Sequence, residues 1–148
     1  MMTRAAAREN AVLMVYAFPF VPLAELLEDR LGEDFYVRVG AEDEIFASPP
    51  NEEECLYIEQ IVNGTYEHLP ELDSYIEKYA VGWKFSRIPR MAVAVMRVAM
   101  YEVLYRPDIP NGAALNEAVE IAKHYEPADV VRFVNGILGT FMEKENPA

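Results

Sequence analysis

Cysteine is almost absent. Cys55 is the single one in 148 residues, which excludes an internal disulfide and fits a reducing cytoplasm. Long apolar runs are missing too. The longest strongly apolar one, Met91 to Met96, is broken by Arg97, far short of the roughly 20 residues that a membrane-spanning helix needs. Arg4 and Arg8 are not followed by a secretory cleavage pattern. A cytoplasmic protein with no membrane partner is therefore expected. The two histidines, His68 and His124, lie far apart, and neither has a Cys or His at ligand spacing, so no metal site is expected. There is no Gly-rich phosphate loop and no nucleophile elbow. Cys55 stands among glutamates, which raise a thiol pKa rather than activate it. Carboxylates are abundant, but none falls in an apolar setting that would tune it for acid–base work. Neither catalysis nor a cofactor is expected.

Bases are scarce over a long middle stretch. Residues 21 to 80 hold 16 acids and three bases, whereas residues 81 to 148 hold eight of each and residues 1 to 20 carry a net +1. The net charge of −12 is thus regional. Affinity for nucleic acid comes largely from neutralising phosphates, so the acidic stretch reads as a solvated face. Any RNA contact must use a face away from it.

The hydrophobic fraction of 52% marks a globular chain, and 148 residues suit one domain. No segment shows a convincing period of two, and nothing repeats. Helical spacing dominates instead. A first helix is predicted over Thr3 to Phe18, with Thr3 as N-cap and Pro19 and Pro22 closing it. A short second helix runs from Leu23 to Leu31. Residues 33 to 50 lack a period and read as a loop. Asn51, with Glu54 three residues on, resembles a capping box. It opens a helix whose stripe is Ile58, Ile61, Val62, Tyr66 and Leu69. Pro70 begins a helix to about Tyr79, and Trp83 follows in a linker. Pro89 precedes an almost uniformly apolar helix, Arg90 to Tyr105, which should be the central buried one. Residues 111 to 125 form the next helix, and Pro127 starts a last one reaching about Lys144. Short connections make neighbouring helices antiparallel. The expected fold class is all-α, about seven helices, in one domain with helical halves at about 1–80 and 81–148.

Three features stand out. In RFVNGILG, residues 132 to 139, an Asn-Gly pair that would ordinarily mark a hairpin turn falls within a helical face of Val130, Val134, Ile137 and Phe141. Arg97 is flanked by apolar residues in MAVAVMRVAMYEVLY. A buried guanidinium needs a partner, and Glu102, Glu117 and Glu9 are the candidates for an ion pair joining helices. Asn116 and Glu117 sit early in their helix. The glutamate suits a helix N-terminus, and Asn116 is a candidate for a structural hydrogen bond to a neighbouring helix.

The run MRVAMYEVLYRPDIPNGAALNEAVEIAKHY, followed by ADVVRFVNGILG, resembles the C-terminal half of the NusB family. RAAARENAVLMVYAF and IVNGTYEHLPELDSYIEKYAVGW are similar to the same family. The likeness spans nearly the whole chain except residues 19 to 50. It implies two packed helical halves and no catalysis. It also implies binding of boxA-type RNA together with a NusE-type small-subunit ribosomal protein, within an RNA polymerase antitermination complex serving ribosomal RNA transcription. With a helix at residues 134 to 138, Gly136 is expected to let another helix approach closely, and Asn135 to hydrogen-bond across that contact.

Residue by residue, the implied RNA surface carries over in part. The family's first helix opens with clustered arginines that position phosphates. Here Arg4 and Arg8 remain, with three alanines between them. Asp129 and Phe133 match positions near the family's RNA surface, and Phe133 is a candidate for base stacking. Arg132 is a candidate phosphate contact, and Tyr16 matches an aromatic that supports the surface from beneath. Near the start of the central helix, where family members often carry an acid and then a base, this sequence has Ala92 and Val93. The apolar Met91 to Val95 is then the candidate surface for a homodimer, a form that some family members adopt. The alternative function is a NusB-like protein-interaction module or homodimer with weak or no RNA binding, for which the thin arginine motif and the acidity speak. A related domain precedes rRNA cytosine methyltransferases. No such domain follows residue 148, so this chain is not expected to work that way alone.

Overall fold

A computed structural model describes residues 2–31 and 49–146. Among these residues there are seven α-helices and no strand. They are α1 (Arg4–Tyr16), α2 (Leu23–Leu31), α3 (Glu52–Glu67), α4 (Leu69–Tyr79), α5 (Arg90–Tyr105), α6 (Asn111–Tyr125) and α7 (Ala128–Glu145), with a 3-10 turn at Phe85–Arg87. The loop expected over residues 33 to 50 lies outside the described residues except at its end. The chain forms two compact units, Met1–Asn63 and Gly64–Ala148. The division falls inside α3 rather than near residue 80, because α4 packs against α5 and α7 of the second unit.

The helix boundaries follow local chemistry. The Thr3 hydroxyl accepts the Ala6 amide at 3.0 Å, which satisfies one of the amides that a helix start leaves unpaired. α1 ends at Tyr16 rather than Phe18, in a turn over residues 17–20. The residue before a proline is driven out of the helical region, and Phe18 precedes Pro19. Asn51 Oδ1 accepts the Glu54 amide at 2.8 Å. This is half of a capping box; the Glu54 carboxylate engages Arg4 instead. The core of the first unit gathers Ala7, Ala11, Met14, Val15, Ile58 and Ile61, all fully buried.

In the second unit α5 is central, against α4, α6 and α7. Its sequence is apolar nearly all round, and Ala92 through Met96 are buried within the fold. This corrects the expectation that Met91 to Val95 offers a self-association surface: of the five, only Met91 keeps appreciable exposure. The partner of Arg97 is also a correction. It is none of Glu102, Glu117 and Glu9 but Asp73 on α4, gripped by two hydrogen bonds of 2.8 Å from Nε and Nη2.

Close helix approach is real, but at a different Asn-Gly pair. Gly136 is exposed, and a Cβ added there would meet nothing within 4 Å. The Asn135 side chain is exposed and makes no hydrogen bond among the described residues. The expected crossing at residues 135 and 136 is therefore absent, and this stretch is a solvated flank of α7. Gly64 on α3 is the crowded glycine: the Tyr101 ring of α5 occupies the space where its Cβ would stand. That ring is held in turn, stacked on Tyr105 at 5.3 Å and beside His68 at 5.9 Å. Tyr105 donates a 2.6 Å hydrogen bond to Glu71 Oε1. That bond, more than burial, pushes its phenol up to about 12. Gly64→Ala is expected to destabilise by a net ~1–2 kcal/mol. Overpacking of ~1–3 kcal/mol outweighs the ~0.5–1 kcal/mol that alanine gains in a helix. Urea unfolding checks this, and a stabilised variant would show that the Tyr101 ring yields freely.

Candidate nucleic-acid interface

The sequence candidates divide between the units. In the first, the short α1 places Arg4 and Arg8 one turn apart on one face. Tyr57 of α3 meets both. The Arg4 guanidinium lies 3.9 Å over the Tyr57 ring and that of Arg8 lies 5.7 Å away. Arg4 Nε also donates to Glu54 Oε2 at 3.0 Å, and the Arg4 side chain stays 38% exposed. Arg8 is buried. Arg4 is therefore the arginine of this pair that solvent, or an anion, can reach. Tyr16 closes the helix on its exposed side, 6.2 Å from Phe20.

In the second unit, α7 carries Asp129, Arg132 and Phe133. Asp129 is exposed in the first turn, where a negative charge suits the helix N-terminus. Together with burial, the larger cause, its charge pushes the neighbouring Glu126 carboxyl above its ordinary value. Arg132 is exposed and forms no ion pair among the described residues. Phe133 is half-buried, and its ring lies 4.9 Å from Trp83 at an interplanar angle of 53°.

The linker that holds Trp83 has a defined course. The Trp83 amide donates to the Ala80 carbonyl at 3.1 Å, closing a turn. Gly82 sits in it at φ +85°, a conformation that side chains rarely adopt. The 3-10 turn follows, and Ile88 anchors its far end in the core. A sequence signal for this element did exist. From Lys78 to Tyr101 the chain holds five bases and no acid, in a protein that is otherwise strongly acidic.

The remaining candidates are structural or solvent-facing. Arg97 ties α4 to α5 as described. Asn116 is exposed, and its side chain makes no hydrogen bond among the described residues, which corrects the expected bond to a neighbouring helix. Its position on the outer side of α6 takes it out of reach of other backbones. Glu117 is partly exposed. The Cys55 thiol is pushed up, first by burial and then by Glu59 and Glu52. His68 Nδ1 lies 2.8 Å from the Gly64 carbonyl. The described residues include no cluster of three or more His, Cys, Asp or Glu able to hold a metal ion, and none of their helices is long and apolar enough to cross a membrane.

The family model described as the NusB family matches residues 5–143. The chain belongs to the NusB family. Among family members, the transcription antitermination protein NusB of Ruminiclostridium cellulolyticum is 39% identical over 146 residues, covering 99% of this chain and 92% of that protein. The NusB of Lysinibacillus sphaericus is 34% identical over 144 residues, covering 97% of this chain and 100% of that protein. The solved T. maritima NusB superposes with a TM-score of 0.79 at 26% identity, covering 97% of this chain and 94% of that one. A NusB solved with NusE and double-stranded RNA superposes with a TM-score of 0.74 at 22% identity, covering 95% of this chain and 96% of that one; that likeness speaks to the fold.

Proposed function

We infer that this protein is a transcription antitermination factor, with no catalytic role, that acts in the cytoplasm. It binds boxA-type RNA together with a NusE-type small-subunit ribosomal protein and supports ribosomal RNA transcription by RNA polymerase. The observation that carries this reading is the near end-to-end likeness, at 39% identity, to a protein of that name. The exposed side chains agree with it. Arg4 in the first unit and Arg132 in the second offer phosphate contacts. Phe133 offers a base contact, with Asp129 at the edge of that second surface. Arg8 supports Arg4 from a buried position beside Tyr57.

A second reading is favoured by one observation: Arg4 Nε is already paired with Glu54, so an RNA phosphate there competes with a carboxylate for the guanidinium. In that reading the protein is an interaction module with little RNA affinity of its own.

The test is boxA-type RNA binding across a salt series, with and without the NusE-type protein, for wild type and Arg4→Ala. Binding that strengthens with the partner is expected. In the variant one phosphate of the single strand is no longer neutralised, so the plot of log affinity against log salt should flatten by about 0.7. Absence of specific binding even with the partner present would leave the interaction module as the correct reading.

A further inference from the structure

We propose that Trp83 and Phe133, with Lys84, Arg87 and Arg132 around them, form a base-stacking platform for single-stranded RNA. The inference deepens the RNA-binding reading and rests on it. The sequence likeness pointed to Phe133 and Arg132; Trp83 comes from its contact with Phe133, and Lys84 and Arg87 from their place beside Trp83 in the linker.

Trp83 touches Phe133 with a ring separation of 4.9 Å, yet it remains 52% exposed. The contact uses part of the indole and leaves the rest open. A tryptophan whose purpose was packing would bury far more of its large apolar surface. The turn at Gly82 and the anchor at Ile88 hold the residue in place, so its face is presented without a large ordering cost on binding.

The surrounding charge selects the ligand. Of the five bases between Lys78 and Tyr101, Lys78 is held by Glu145 and Arg97 by Asp73. Lys84 and Arg87 are exposed and form no ion pair among the described residues. Lys84 precedes the 3-10 turn and Arg87 ends it, the Arg87 amide donating to the Lys84 carbonyl at 2.9 Å. Arg132, next to Phe133 on α7, is exposed and likewise unpaired among the described residues. A largely open indole beside a half-buried phenyl ring, with three uncommitted cations close to them in sequence, fits a strand whose bases are unstacked and whose phosphates run alongside. A duplex keeps its base faces covered and cannot use the rings.

Trp83 is the only tryptophan in the chain, so its fluorescence reports on the platform directly. The experiment titrates wild type, Trp83→Phe, Trp83→Ala and Lys84→Ala/Arg87→Ala with the single-stranded boxA-type RNA and with an unrelated single strand. The NusE-type protein is present throughout, and affinity is read separately by a label on the RNA. Unfolding midpoints confirm that the variants fold. RNA should quench the tryptophan emission of wild type, and the quenched signal should be missing in Trp83→Phe. Trp83→Ala should weaken binding by roughly 5–150-fold, the range for losing one stacked base. Trp83→Phe should retain most of the affinity. Lys84→Ala/Arg87→Ala should flatten the salt dependence by about 1.4, for two phosphates no longer neutralised.

Tight boxA-type binding with unchanged fluorescence, and with Trp83→Ala as strong as wild type, would overturn the platform and leave the antitermination reading intact. Binding and quenching by the unrelated strand, without binding of the boxA-type RNA, would overturn the antitermination reading and uphold the platform. No binding of either strand would overturn both.

Discussion

Arg97→Ala is expected to destabilise the protein by about 3 kcal/mol, the low end of the range for removing one partner of a buried ion pair. The Arg97 and Asp73 side chains are only 15% and 26% exposed, so the carboxylate left behind is poorly hydrated and forfeits two 2.8 Å hydrogen bonds at once. The low end applies because water still reaches part of the pair. Denaturant unfolding measures the loss. A second variant separates attraction from desolvation. If most of the cost is the stranded charge, Asp73→Leu combined with Arg97→Met should recover much of the stability, since an apolar pair of similar volume carries no burial penalty. A loss below about 1 kcal/mol for Arg97→Ala would place the pair with exposed salt bridges instead.

Phe141→Ala should cost still more, about 3–5 kcal/mol, the usual range for emptying a fully buried aromatic position. Phe141 has no solvent exposure, and Tyr75 and Tyr79 of α4 meet its ring edge-on at 5.2 and 6.3 Å. Its removal therefore unfastens α7 from α4 and leaves a cavity walled by two stiff rings. Phe133→Ala, on the same helix, is the control. Phe133 is half-buried and Trp83 covers one side of it only, so its loss should cost about 1 kcal/mol or less in stability, with its main effect on RNA affinity. Equal stability losses for the two phenylalanines would place Phe133 in the core and remove it from the RNA surface.

That contrast shows what one helical face could and could not convey. The spacing of Val130, Val134, Ile137 and Phe141 predicted one apolar helical face; the last three are buried, and Val130, in the first turn, keeps some exposure. Phe133 lies off that face, and spacing alone left its role open between core and surface. The basic linker is a similar case. Its charge was visible in the sequence, but the reach of Trp83 to Phe133, far along the chain, depends on how the Gly82 turn aims the backbone. For Arg4 the family resemblance implied a phosphate contact, and the fold adds Glu54 and the Tyr57 ring as its neighbours.

The sequence by itself determined which of the described segments are helical and, to within a residue or two, where they end. Prolines, the caps at Thr3 and Asn51, and the apolar spacing act within a few residues of each other, so their outcome is written locally. Tertiary structure decided everything that depends on which helix faces which. Asn-Gly occurs at residues 63–64, 111–112 and 135–136, three pairs with the same local chemistry. Only the first has a neighbouring ring where its glycine lacks a side chain; the other two glycines face open space. Arg97 likewise needed an acid, and an excess of acids in the chain left the choice open. Asp73 was selected because the packing of α4 on α5 brings its carboxylate within 2.8 Å. Hydrogen-bonding and dihedral preferences extend over one or two turns of chain. Partners are chosen by packing between segments far apart in sequence, and there the fold has the final word.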